Sequence, residues 1–245
     1  MMVREGHVSQ TWAVLGILGL GLVMGLRHAT EADHIAAIGT MVGEQGGFRR
    51  ALRTGVLWGM GHTISILAAG ILVLGMRMAI SERTSRLLEG GVALMIITLG
   101  GASLSRALRG RTDAHRHTHT HGGLRHTHLH FHGPEEQHLP SDPGHAARVG
   151  FTPVLVGVMH GLAGSAALTL LVLTQTPSAM LGLAYLGTFG IGSIGGMALM
   201  STLISLPFHA TAGRPALNRS VRIAAGGLGL AFGLFYGAIL LWSNA

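Results

Sequence analysis

Two histidines and two acidic residues interrupt an otherwise apolar stretch near the start of the chain, within residues 27–35. They are His28, Glu31, Asp33 and His34. An ionisable group at the centre of a membrane helix costs about 2.5 to 3.5 kcal/mol, so such groups usually pair with one another or line an ion path. Imidazole nitrogens and carboxylate oxygens are also ligands of divalent metals. The run therefore predicts a metal site inside a membrane.

A straight helix cannot bring all four of these side chains to one ion. At 100° per residue, His28, Glu31 and His34 lie along one side of the helix, and the remaining acid points elsewhere. If His28, Asp33 and His34 bind the same ion, the helix must unwind or kink near Thr30, as the discontinuous helices of transporters do. We therefore predict a discontinuous first membrane helix.

The alternative is that this run is simply the charged cytoplasmic end of the first span. Glu31 and Asp33 would then lie in water, and the Arg27 side chain would reach the lipid headgroups. Against this alternative, the apolar stretch resumes at residues 35–38 and continues beyond the charged run. We favour the metal site.

Further candidate ligands lie in later apolar segments. His62 follows two closely spaced glycines, which let another helix or an ion approach its ring. We predict that His62 binds the ion together with both histidines and Asp33 of the first run, although a single intramembrane histidine is also a common packing residue. Four weaker candidates for contacting the ion or its ligands are Glu31, Thr63, His160 and Ser165.

The composition is that of an integral membrane protein. Of the 245 residues, 48% are apolar and 11% are charged, and several apolar runs reach the roughly 20 residues that span a bilayer. No cysteine is present, so a metal must be held by nitrogen and oxygen ligands. We predict an all-α protein with six membrane helices, over residues 12–40, 54–76, 87–105, 149–173, 178–206 and 221–243.

All seventeen basic side chains other than histidine are arginines, and most lie in the loops that follow the first, third and fifth predicted spans. Short loops rich in arginine stay in the cytoplasm. We therefore predict a multi-pass protein of the inner (plasma) membrane, with both chain ends outside and the long central loop inside the cell. The basic excess reflects this orientation, and we expect no nucleic-acid partner.

The two halves of the chain share a weak repeat, in which residues 25–28 match residues 157–160. It predicts two three-helix units, 1–105 and 149–245, on either side of a loop at 106–148. With an odd number of spans in each unit, the second is inverted relative to the first, as in many secondary transporters. Shared glycine-rich composition is the alternative explanation, since 39 residues are glycine.

The cytoplasmic loop between the units is rich in histidine and is expected to be disordered or flexible, because it has no apolar core. Alternating histidines in an extended chain can chelate nickel, copper, zinc or cobalt. A solvated linker with incidental affinity fits the composition equally well. We expect this loop to lie outside the transport path, with auxiliary metal binding at His115, His117, His119, His121, His126, His128, His130 and His132.

The run from His28 to Ile35 resembles the His-x4-Asp-His signature of the nickel/cobalt transporter (NiCoT/NicO) superfamily, and Gly61-His62-Thr63 resembles a second short motif of that family. Residues 151–171 and 189–206 look like its compact six-span, UreH-like branch. Larger members commonly have eight spans and an aspartate at the position of Glu31. The resemblance implies membrane passage of Ni(II) or Co(II), with metal contacts at His28, Asp33, His34 and His62.

Together these features predict uptake of Ni(II), with Co(II) as an alternative substrate, by a transporter that is not an enzyme. The ion is the transported substrate, and no organic cofactor is expected. Export through the same site stays open. Two alternatives from other classes are an intramembrane hydrolase that uses Ser165 and His62, and a membrane metallochaperone that moves no ion. The expected partners are the metal ion and the lipid bilayer, with an intracellular metallochaperone as a further candidate.

Overall fold

The computed structural model describes residues 2–43, 47–76, 81–109, 113–121, 124–132, 150–175 and 178–242. Helices dominate these residues and are interrupted by one two-stranded hairpin. The helices confirm the α-helical prediction for the membrane part, and the hairpin is an addition that this prediction did not contain. In chain order the elements are α1 (Met2–His28), α2 (Ala32–Val42), α3 (Phe48–Met76), α4 (Glu82–Leu108), β1 (Asp113–His121), β2 (Leu124–His132), α5 (Thr152–Gln175), α6 (Ala179–Ala210) and α7 (Pro215–Trp242).

Four helices, α3, α4, α6 and α7, are each long and apolar enough to cross a membrane. Helices α1 and α2 are long and apolar enough to cross a membrane only when they are taken together, as Trp12–His28 and Ala32–Val42. The described apolar part of α5, Thr152–Gly164, is shorter than a full span. The described residues therefore contain four spans, or five when α1 and α2 count as one, and the chain is a multi-pass membrane protein. Each of the six predicted segments overlaps one of these helices or the α1–α2 pair.

The first span is broken between α1 and α2, which are bent by 55° relative to each other. Two backbone hydrogen bonds close the turn: Thr30 N–H donates to the Arg27 carbonyl at 2.9 Å, and Glu31 N–H donates to the His28 carbonyl at 3.0 Å. Glu31 then has extended backbone, with φ −66° and ψ 150°, and accepts the first bond of α2 from Ile35 N–H at 3.0 Å. The break predicted near Thr30 is confirmed.

Glycines allow the helices to approach closely where α1 packs on α6 and where α5 packs on α3. A Cβ atom on Gly25 of α1 would lie 2.8 Å from the backbone nitrogen of Ser193 in α6. A Cβ atom on Gly157 of α5 would lie 2.9 Å from the backbone nitrogen of His62 in α3. Any larger residue would therefore push the helices apart at both crossings.

A cluster of buried apolar side chains holds α2 against the rest of the bundle. Ile38 and Val42 of α2 belong to the same cluster as Trp58 of α3 and Met197 of α6, and all four are fully buried. Trp58 is the largest fully buried side chain among those that the structure describes. This packing holds α2, the helix that follows the break, against α3.

The strands β1 and β2 pair antiparallel within the histidine-rich loop. The remainder of that loop, including residues 133–148, lies outside the described residues. The prediction that the loop is disordered or flexible stays a prediction. The register of the hairpin places three sets of histidines opposite each other, His115 with His130, His117 with His128, and His119 with His126.

Candidate metal site

Three histidines from α1, α2 and α3 meet where the first span is broken. His28 ends α1, His34 lies in the first turn of α2, and His62 lies midway along α3. Their ring centroids are 4.5 Å apart for His28 and His34, 5.1 Å for His28 and His62, and 5.4 Å for His34 and His62. One ring nitrogen of each lies within 4.8 Å of the other two. We call this cluster the three-histidine site.

Carboxylates orient two of these three imidazoles. Glu31 Oε1 lies 2.9 Å from His28 Nδ1, and Asp33 Oδ1 lies 2.9 Å from His34 Nδ1. The backbone N–H of His34 donates to the same Asp33 oxygen at 2.9 Å. A carboxylate can only accept, so the neutral His34 imidazole donates through Nδ1–H and keeps its lone pair on Nε2. The Glu31 carboxylate favours the same tautomer in His28. Hydrogen bonding of this kind is typical of histidines that bind a metal through the other nitrogen.

The other ring nitrogens of the three histidines make no hydrogen bond within the described part of the chain. Nε2 of His28, Nε2 of His34 and both ring nitrogens of His62 are buried and have no hydrogen-bond partner among the described residues. A buried polar atom without a partner is costly, and native structures seldom keep one without a functional reason. Three imidazoles that meet in one place, each with an unpartnered ring nitrogen, could hold a cation.

The spacing of the rings suits a single metal ion. With metal–nitrogen bonds of about 2.1 Å, two imidazoles bound at an angle of about 90° place their ring centroids roughly 4.5 Å apart, and at about 120° roughly 5.5 Å apart. The three observed separations of 4.5, 5.1 and 5.4 Å fall in this range. One ion can therefore be held with little movement of the three side chains.

The two acids of the run form the outer edge of the site. Glu31, Asp33 and His34 make a second group whose ligand atoms lie within 4.8 Å of one another. The Glu31 side chain is 56% exposed and the Asp33 side chain is 26% exposed. Their two negative charges match the charge of one divalent ion, which reduces the cost of holding that ion away from water. Direct contact between Asp33 and the ion stays a prediction, since the structure shows its Oδ1 atom bound to His34.

His160, one of the four weaker candidates from the sequence, lies beside Asp33. It belongs to α5 and is buried, with Nδ1 3.1 Å from the backbone carbonyl of Val156. Its Nε2 atom lies 3.9 Å from Asp33 Oδ2, and its ring centroid lies 5.0 Å from that of His34. The second half of the chain therefore contributes a histidine next to the three-histidine site.

Trp58 forms part of the wall of the site and was missed by the sequence analysis. Its ring centroid lies 5.3 Å from that of His34 and 5.5 Å from that of His160. Trp58 stands four residues before His62 on α3, and residues at this spacing share a face of a helix. This spacing was the available signal: a large aromatic residue one turn before a ligand candidate.

The structure gives less information on the remaining predicted residues, which are Thr63, Ser165 and the histidines of the hairpin. Thr63 Oγ1 donates to the carbonyl of Gly190 at 3.1 Å, which ties α3 to α6. Ser165 lies in α5, but its side chain is outside the described part of the structure, as are the side chains of the histidines in the hairpin. The structure therefore provides no geometry for a Ser165–His62 pair.

This chain matches one family model and is similar to known proteins. The family model described as "NicO: High-affinity nickel-transport protein" matches residues 14–223. The urease accessory protein UreH of Bacillus sp. (strain TB-90) is 31% identical over 223 residues, which cover 91% of each chain. A high-affinity nickel transport protein of Cupriavidus necator is 35% identical over 80 residues, covering 32% of this chain and 22% of that protein. No solved structure shows a significant match. The chain therefore belongs to the NicO family of high-affinity nickel-transport proteins, a family of transporters and not of enzymes.

Proposed function

We propose that the protein carries Ni(II) across the plasma membrane into the cell through the three-histidine site. The observation that carries this proposal is the meeting of three imidazoles, two of them buried and one partly buried, at the break of a membrane span. Each has a buried ring nitrogen without a hydrogen-bond partner among the described residues. Imidazole nitrogen suits nickel, and it suits cobalt as well, so Co(II) is a second substrate of the same chemistry. Broken membrane helices are where many transporters bind their ions.

In this proposal His28, His34 and His62 bind the ion, and the two acids act through two of them. Asp33 orients His34 through a hydrogen bond of 2.9 Å, and the Glu31 carboxylate lies 2.9 Å from Nδ1 of His28. The acids also balance the two positive charges of the ion. A site of neutral imidazoles backed by two carboxylates has no net charge when a divalent ion is bound, which favours its presence in the low dielectric of the membrane.

We further propose that the chain has six spans arranged as two inverted three-helix units, with the site between them. Gly25 and Gly157 occupy equivalent positions in the two units, and a second weak match, of residues 59–62 with residues 190–193, makes His62 equivalent to Ser193. Gly25 of the first unit packs against Ser193 of the second, and Gly157 of the second packs against His62 of the first. This reciprocal pattern supports the repeat. Motion of one unit against the other would expose the site to each side of the membrane in turn.

Inward movement has a sufficient driving force without ATP. A potential that is negative inside favours the entry of a cation by about 2.3 kcal/mol per charge per 100 mV, or about 4.6 kcal/mol for a divalent ion. The arginine-rich loops favour an orientation with the chain ends outside and the histidine-rich loop in the cytoplasm. The similarity to a urease accessory protein and to a nickel transport protein supports nickel as the substrate. The hairpin of the loop and an intracellular metallochaperone would then receive the ion.

Uptake of radioactive nickel into sealed proteoliposomes tests this proposal. The intact protein, His28→Ala and His62→Ala are compared at an imposed inside-negative potential. His209→Ala is the matched control, because His209 lies in the last turn of α6 and is exposed. We expect the control to accumulate nickel like the intact protein, and the two site variants to lose at least nine-tenths of the rate.

Three results would contradict parts of the proposal. Accumulation that survives both site substitutions would exclude the three-histidine site. Nickel binding without accumulation at either sign of potential would indicate a metallochaperone. Export of nickel against an inward nickel gradient, when an outward-directed driving force is imposed, would show that the direction of transport is opposite to the one proposed.

A further inference from the structure

Asp33 separates two histidines that belong to different halves of the chain. Its Oδ1 atom accepts from His34, whereas its Oδ2 atom lies 3.9 Å from Nε2 of His160. His160 Nδ1 lies 3.1 Å from the Val156 carbonyl, which can only accept, so the neutral imidazole carries its proton on Nδ1. Nε2 of His160 therefore holds a lone pair. This nitrogen is buried and has no hydrogen-bond partner among the residues that the structure describes.

A carboxylate oxygen and an imidazole lone pair are both acceptors, so neither can satisfy the other. A cation between them satisfies both. Two metal–ligand bonds of about 2.0 to 2.1 Å hold their ligand atoms roughly 3 to 4 Å apart, depending on the angle at the metal. The observed 3.9 Å lies at the upper end of this range. It is too long for a proton shared in a hydrogen bond, which requires about 2.7 to 3.2 Å.

We propose that Asp33 and His160 form a second cation position, adjacent to the three-histidine site, which the transported metal ion occupies before or after that site. The inference deepens the proposed function and rests on it. His34 borders both positions, because its ring centroid lies 4.5 Å from that of His28 and 5.0 Å from that of His160. An ion that leaves the three-histidine site can therefore gain Asp33 and His160 while it stays beside His34.

This position would join the two halves of the chain. His28, His34 and His62 come from the first half, whereas His160 comes from α5, which packs on α3 through Gly157. Because the ion would be held by one side chain from each half, any movement between the two halves would change its coordination. With only two protein ligands and otherwise water, the second position binds the ion more weakly than three imidazoles do, as a transit position must.

Nickel content and uptake of the full chain, reconstituted in lipid, test the proposal with His160→Ala and His160→Asp. For His160→Ala we expect one fewer nickel ion per chain at high nickel concentration, by elemental analysis, and at least a tenfold lower maximal uptake rate. The affinity of the tightest site and the number of imidazoles around it, from nickel X-ray absorption, should not change. His160→Asp supplies a carboxylate ligand and should restore nickel content and part of the uptake rate. His209→Ala is again the control.

The outcomes separate this inference from the proposed function. Uptake that depends on His28 but is unchanged in His160→Ala, with unchanged nickel content, would overturn the second position and leave the transporter intact. Loss of tight binding in His160→Ala would make His160 a fourth ligand of the first site and also overturn it. Loss of uptake with full nickel content, and no rescue by His160→Asp, would indicate a purely structural or proton-linked role. No His28-dependent uptake in the intact protein would instead remove the proposed function.

Discussion

The substitution Asp33→Asn removes a charge from the metal site while it preserves the size of the side chain. Asparagine can still present a carbonyl oxygen to the two donors of His34, the backbone N–H and Nδ1–H, which Asp33 accepts at 2.9 Å each. The tautomer of His34 and its free Nε2 atom should therefore survive. What is lost is the attraction between a negative charge and the bound ion, together with the extra strength of a hydrogen bond to a charged acceptor.

The size of the loss follows from the distance. An ion on Nε2 of His34 lies about 7 Å from the Asp33 carboxylate, counting the 2.9 Å hydrogen bond, the imidazole ring and a metal–nitrogen bond of about 2.1 Å. Two positive charges and one negative charge at that distance attract by about 5 kcal/mol at an effective dielectric constant of about 20. Because Asp33 is 26% exposed, water screens part of this attraction. We expect nickel affinity to fall about 10- to 100-fold, as is usual when an acceptor behind a metal-bound histidine is changed.

The assay is nickel binding by titration calorimetry in lipid nanodiscs, together with the KM of uptake into proteoliposomes. Glu31→Gln is the matched control, because this acid orients His28 in the same way but is 56% exposed. Its charge is more strongly screened, and we expect a loss below tenfold. Unchanged affinity in Asp33→Asn, or a larger loss in Glu31→Gln, would refute the idea that the more buried carboxylate balances the charge of the ion.

Three further predictions concern packing and the loop. Gly157→Ala should lower the melting temperature and the nickel affinity together, because the added methyl group meets the backbone of α3. We expect this overpacking to cost about 1 to 3 kcal/mol of stability. Gly164→Ala is the control, because the space at its Cβ position is open, and it should change neither quantity. Thr63→Val keeps the branched shape of the side chain but loses the hydrogen bond to Gly190. Thermal unfolding should show that the free energy of unfolding falls by about 0.6 kcal/mol. A loss of nickel affinity in calorimetry would instead make Thr63 a ligand. Deletion of residues 112–146 should leave the uptake rate and metal preference unchanged, and a changed preference would give the loop a role in permeation.

The break in the first span was predictable because its reason lies in local geometry. His28 and Asp33 are five residues apart, and 100° per residue keeps them from converging unless the helix is interrupted near Thr30. His62 was predictable as a candidate because an intramembrane imidazole beside glycines has few other uses. Both inferences needed only the spacing of residues along one segment and the cost of polar groups in hydrocarbon.

The position of His160 could not be predicted in the same way. Its distance from Asp33 depends on how closely α5 approaches α3, and this in turn depends on the contact at Gly157, between residues almost a hundred positions apart in the chain. A weak repeat indicated that His160 corresponds to His28, but it did not indicate which side chain of the other half it would meet. The hairpin was also missed, because alternating histidine, threonine and arginine lack the apolar alternation that identifies a strand with a buried face.

If the three-histidine site binds the transported ion as proposed, its ligand atoms also determine which ions are excluded. Magnesium and calcium, the abundant divalent ions of cells, prefer oxygen ligands, and magnesium gives up its water reluctantly. Three buried nitrogens offer these hard cations little in exchange for their hydration shell, so they should be excluded on thermodynamic grounds rather than by size. Copper binds imidazole more strongly than nickel does, and for copper the stronger binding is itself the obstacle: an ion held too tightly leaves too slowly to be carried. Selectivity for nickel would then be a matter of release as much as of capture.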